Sequence, residues 1–96
     1  MASENTLTIN QKVVTAAGTA ELLMTTDEGD YILIIKALAG NTGYIYVGNS
    51  DVDSTNGYEL SAGEEAPPIV ISEGQLDIYI DSSVNGDGVC YIYYNS

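Results

Sequence analysis

The sequence has no His, Arg, Trp or Phe, a single Cys (Cys90) and two Pro (Pro67 and Pro68). Without His, neither a Ser-His-Asp nor a Cys-His nucleophile can be assembled. One Cys forms no internal disulfide, and one Cys with no His makes a zinc site unlike any common type. Flanked by Val89 and Tyr91 in an apolar run, Cys90 is expected to be a buried small hydrophobe. Lys12 and Lys36 are the basic residues, against fourteen acidic ones, giving a net charge of −12 over 96 residues. Duplex affinity comes largely from Lys and Arg on phosphates, so no nucleic-acid partner is expected. Anionic membranes are repelled for the same reason. No apolar run approaches the roughly 20 residues of a membrane span. The sequence opens on no charged-then-apolar leader, and synthesis in a reducing cytoplasm is expected. It holds neither a phosphate-binding glycine loop nor a dinucleotide fingerprint. The acidic residues fall in turns or on polar strand faces, leaving little room for a paired-carboxylate cleft. The expectation is a non-enzyme with no cofactor and no metal.

What is present is periodic. Hydrophobic residues make up 45% of the chain, which argues against disorder, and the length suits one domain over 1–96 with a loose arm at 1–5. Residues 6–14 alternate, with Leu7, Ile9, Gln11 and Val13 on one face and Thr6, Thr8, Asn10 and Lys12 on the other, the pattern of a strand with one wet face. The 20–24 stretch is too short for a stable helix and reads as a strand. Residues 31–38 are the most apolar run and rich in β-branched side chains, which predicts a central strand buried on both faces. Further strands are predicted over 44–47, 58–60, 69–71, 76–80 and 89–94, separated by glycine-rich and acidic turns such as 27–30 and 81–88. Pro67 and Pro68 mark a strand start or a sheet edge. About seven or eight short strands with turn signals roughly every ten residues predict an all-β fold, either a compact β-sandwich or a jelly-roll-like barrel.

Pleating sends alternate residues to opposite faces. The expected core takes Ile9, Val13, Leu33, Ile35, Ile45, Val47, Ile78, Ile80 and Ile92. That choice leaves Tyr44, Tyr46, Tyr79, Tyr91 and Tyr93 on a second, tyrosine-bearing face. Such rings can simply stabilise neighbouring strands, or they can form a protein interface, where Tyr is enriched. Two oxygen-rich loops, 51–57 and 81–88, begin like calcium loops. In the first the glycine comes one position late; in both, the twelfth position (Ala62 or Ile92) is not the bidentate Glu.

The stretch from Gly43 to Glu65 organises the rest: a short strand, a polar loop, a second strand and a glycine turn. Its segments I-Y-V-G-N-S-D-V and S-T-N-G-Y-E-L-S-A-G-E resemble a pattern in small virion proteins of tailed bacteriophages, in particular the capsid decoration, or cement, class. The pattern covers about a quarter of the chain. The resemblance implies a structural protein on the outer capsid surface, made in the host bacterial cytoplasm. It would bind the major capsid protein and its own copies, three of them at a symmetry axis. It also favours the interface reading of Tyr44, Tyr46, Tyr79, Tyr91 and Tyr93, with the Pro67-Pro68 edge as a second candidate seam. The alternative is a fibre adhesin or carbohydrate-binding module, in which exposed tyrosines flanked by Asp and Asn would hold sugars.

Overall fold

The computed structural model describes residues 7–27, 29–72 and 74–95; the expected arm at 1–5 lies outside them. The chain is all-β. Its strands are β1 (Leu7–Val13), β2 (Glu21–Thr25), β3 (Tyr31–Ala37), β4 (Ile45–Gly48), β5 (Tyr58–Leu60), β6 (Ile69–Ile71), β7 (Asp77–Ser82) and β8 (Gly88–Asn95). They form two four-stranded antiparallel sheets, sheet A in the order β1-β8-β3-β6 and sheet B in the order β2-β7-β4-β5. The two inner faces close on one apolar core, giving a β-sandwich. Leu33, Ile35, Ile45, Leu60, Ile80 and Val89 are fully enclosed there. Each such side chain stabilises the fold by about 1.5–3 kcal/mol relative to leaving it in water.

The expected core holds for Leu33, Ile35, Ile45, Val47, Ile78 and Ile80. It fails for Ile9, Val13 and Ile92. The reason is the register of β8, which pairs with β1 and β3 at once. Val89 sits opposite both Lys12 and Ala37 and is fully buried, so Val89, Tyr91 and Tyr93 point inward. Cys90, Ile92 and Tyr94 then point outward, and Ile9, opposite Ile92, goes with them. Ile9 is 67% exposed and Val13 47%. The rings of Tyr91 and Tyr93 stack half-buried against the core, 6.3 Å apart and 7° from parallel. Burial, and then the neighbouring Tyr93, push the Tyr91 phenol above its ordinary 10.0.

One end of the sandwich is tied by Glu21. Its Oε2 accepts from the N–H of Thr15 at 3.0 Å, the N–H of Ala16 at 3.0 Å and the Thr15 hydroxyl at 3.1 Å. Its Oε1 lies 3.2 Å from Lys12 Nζ, so the edge strands β1 and β2, one from each sheet, are joined. Partial burial pushes this carboxyl up, but the Ala16 N–H, the Lys12 ammonium and the two Thr15 donors outweigh it. The net result is a value below the ordinary 4.5. A folded value below the unfolded one stabilises the fold above pH 4.5, and that gain is lost as pH falls through the lowered value. Glu21→Gln is therefore expected to cost about 1 kcal/mol near neutral pH. It should also flatten the fall in melting temperature on acidification. Thermal melts of both proteins across the acid range check this; parallel profiles would show that Glu21 carries none of the pH dependence.

Candidate functional site

Among the described residues the outer face of sheet A carries no covering layer. Register places Leu7, Ile9, Gln11 and Val13 of β1 on it, with Cys90, Ile92 and Tyr94 of β8, Ile32, Ile34 and Lys36 of β3, and Val70 of β6. Leu7 is 57% exposed and Val70 69%. Ile32, Ile34, Ile92 and Tyr94 are half-buried by one another. A shallow groove of about 150 Å³ runs across the middle, lined by Ile9, Ile34, Ile92 and Cys90, with Lys36 and Glu65 at one end. Cys90 is thus half-exposed on this face, contrary to its expected burial. Singly exposed hydrophobes are ordinary; a contiguous apolar sheet face is an interaction surface.

The five tyrosines do not share a face. Tyr91 and Tyr93 point inward from sheet A and pack against the core. Tyr79 lies half-buried on the outer face of sheet B, and Tyr44 is exposed just before β4. Tyr46, on the same outer face as Tyr79, is only 6% exposed because loop 49–57 folds down over it. Val52 of that loop is buried. Gly57 permits the approach: a Cβ there would stand 2.5 Å from Tyr46 Cβ and 2.9 Å from Val52 Cγ2. The loop also bonds itself. Asp53 Oδ1 accepts from the Thr55 N–H at 2.8 Å and the Thr55 hydroxyl at 2.6 Å, while Asn56 Oδ1 accepts from the Asp53 N–H at 2.9 Å. The Thr55 hydroxyl and N–H hold the Asp53 carboxyl below its ordinary 3.8. The residues that carry the phage resemblance thus have a packing role, since they shape a loop that lies flat on β4.

Pro67 and Pro68 are exposed at one edge of the sandwich, where the proline ring needs no ladder donor. With Val47, Tyr58, Ala66 and Ile69 they line an apolar groove of about 220 Å³ between the edge strands β5 and β6.

The segments 51–57 and 81–88, each singled out for its oxygens, meet in space; the expected turn at 81–88 is shorter, since Asp81 and Ser82 end β7 and Gly88 opens β8. Asp53 and Ser54 of one and Asp81, Ser82 and Ser83 of the other line a cleft of about 290 Å³, closed by Tyr46, Ala17 and Gly18. Asp81, 2% exposed, accepts on Oδ1 from the N–H groups of Gly18 and Ser82, both at 2.8 Å. At the far end of the second loop, Asp87 accepts from the N–H groups of Gly43 at 2.7 Å and Thr42 at 3.1 Å. These carboxylates pin neighbouring loops. Among the described residues no group of three or more acidic or Cys side chains is placed to hold a metal ion. Set against known proteins, the chain matches no family model, no curated protein and no solved structure.

Proposed function

We propose that this chain is a structural virion protein of a tailed bacteriophage, a decoration protein seated on the outer surface of the capsid. There it adds non-covalent contacts between coat subunits. The observation that carries the reading is the pair of unpartnered apolar surfaces, the broad outer face of sheet A and the groove beside Pro67 and Pro68. A decorating protein needs two kinds of contact, one with its own copies and one with the major capsid protein. Several copies around one axis multiply weak contacts through effective concentration, and three suit the three-fold axes of an icosahedral shell. The strand order supports the jelly-roll form of the sandwich, an architecture shared by viral capsid and lectin domains; as a likeness of architecture it adds weight without assigning a role. A charge of −12 per copy keeps coated particles dispersed.

The test is immunogold labelling of virions purified from the phage that encodes the chain. Gold over the heads is the expected result. Particles free of label would overturn the reading. The cleft between the two acidic loops favours a second reading, a head- or tail-fibre adhesin or carbohydrate-binding module. Asp53 and Ser54, exposed at its mouth, offer acceptors to sugar hydroxyls. Label confined to fibres, together with binding on a glycan array, would favour that reading instead.

A further inference from the structure

We infer that the outer face of sheet A is the seam through which copies of this chain bind one another. The inference rests on the reading of the chain as an assembly protein and names the surface that assembles it.

Two sequence patterns fit only if that face is covered. Strand β1 alternates cleanly, yet its apolar set, Leu7, Ile9 and Val13, points outward while Thr8 and Lys12 point inward. An isolated sandwich would favour the reverse. Strand β3 is apolar at every position from Tyr31 to Ile35, as in strands with layers on both sides. One side has its layer in sheet B; Ile32 and Ile34 on the other have none among the described residues.

Charge selects the occupant. The chain carries fourteen acidic residues, yet no carboxylate stands on the strands of this face, and Lys36 is its one charged side chain. Glu65, bridged to Lys36 through the backbone, lies at the margin. Copies of the same chain repel wherever their acidic surfaces approach; here they can meet without bringing carboxylates together. A partner drawn by the overall charge would be basic and would seat on the acidic loops instead. What matches an apolar, carboxylate-free sheet face is the same face on other copies, gathered around one axis so that apolar surface meets apolar surface.

Strands β1, β8 and β3, of seven, eight and seven residues, and the three-residue β6, about 4.8 Å apart and rising about 3.3 Å per residue, give roughly 400 Å² in projection. That is about half of the roughly 800 Å² that each partner buries in a standard interface, a weak contact that several copies around one axis reinforce through effective concentration.

The purified full chain is examined by analytical ultracentrifugation at about physiological ionic strength, where the Debye length is about 8 Å. The wild type is expected at a multiple of 10.2 kDa. Ile9→Asp and Val70→Asp, at exposed positions, are expected to sediment as monomers while keeping a β-type circular dichroism spectrum. Leu22→Asp, exposed on sheet B, should leave the mass unchanged. Cys90 gives a second readout. Its thiol should react with a maleimide at least tenfold faster in the two monomeric variants than in the wild type. A wild type that stays monomeric overturns the seam, as does a multimer that ignores both Asp substitutions. The virion label is read separately. Gold on heads with a monomeric protein would sink the seam and spare the decoration role; a multimer absent from virions would do the opposite.

Discussion

Ile45→Ala is expected to lower the unfolding free energy by about 2–5 kcal/mol, a large part of the stability of so small a domain. Ile45 is fully enclosed on an inner strand of sheet B, opposite Ser82 on one side and Leu60 on the other. Truncation leaves a cavity that its neighbours cannot fill, because both flanking strands are held by ladders. Denaturant unfolding measures the loss; a change under 1 kcal/mol would mean that the site collapses freely and that the core is looser than its burial indicates.

The strand at Ile45 was legible in advance because only one of its faces is aliphatic. The same logic served β7, where Ile78 and Ile80 alternate with polar or aromatic neighbours. It failed for β8, and the failure is physical. Both faces of that strand are apolar, Cys90, Ile92 and Tyr94 against Val89, Tyr91 and Tyr93. Period-2 alternation separates the two sets but cannot say which one turns inward. The register with β3 and β1 decides that, and register is a long-range property. Ile9 followed Ile92 to the wrong side for the same reason. Tyr46 was misread as a surface residue because loop 49–57 reads as polar. The signal was present in Val52, a lone aliphatic among Asn, Ser and Asp, bracketed by Gly48 and Gly57. The meeting of segments 51–57 and 81–88 had no local signal, since the long-range pairing of β4 with β7, Tyr46 opposite Asp81, brings them together.

Gly88→Ala is expected to cost about 1–3 kcal/mol, and Gly88→Val more. Gly88 opens β8 opposite Val13. A Cβ there would collide with the carbonyl oxygen of Lys12 and stand 3.1 Å from Val13 Cα, all backbone of β1. The strand cannot shift away from the clash. Gly88 N–H donates to Asn41 Oδ1 at 2.9 Å, and its carbonyl accepts from Asn41 Nδ2 at 2.8 Å and from the Leu38 N–H at 3.0 Å. The strain should therefore go into β1. Hydrogen exchange should show faster exchange of β1 amides in Gly88→Ala, beside little change in sheet B. Retained protection in β1 with unaltered stability would contradict this account.

The placement of β7 and β8 has a consequence for how the molecule comes into being. Strands β1 and β3 do not touch as neighbours; each lies against β8, and β2 and β4 each lie against β7. On the ribosome the apolar run of β3 therefore emerges long before either inner strand exists. Until β7 and β8 appear, the β4–β5 hairpin is the one ladder between consecutive strands available to it. Loop closure across most of the chain must precede the reward of pairing, which places folding on the slow side, in milliseconds to seconds. In that interval the growing chain carries unpaired apolar strands of the kind that misassociate. The domain is thus completed by its last two strands, and a nascent chain stalled before them can hold only the β3–β6 and β4–β5 ladders.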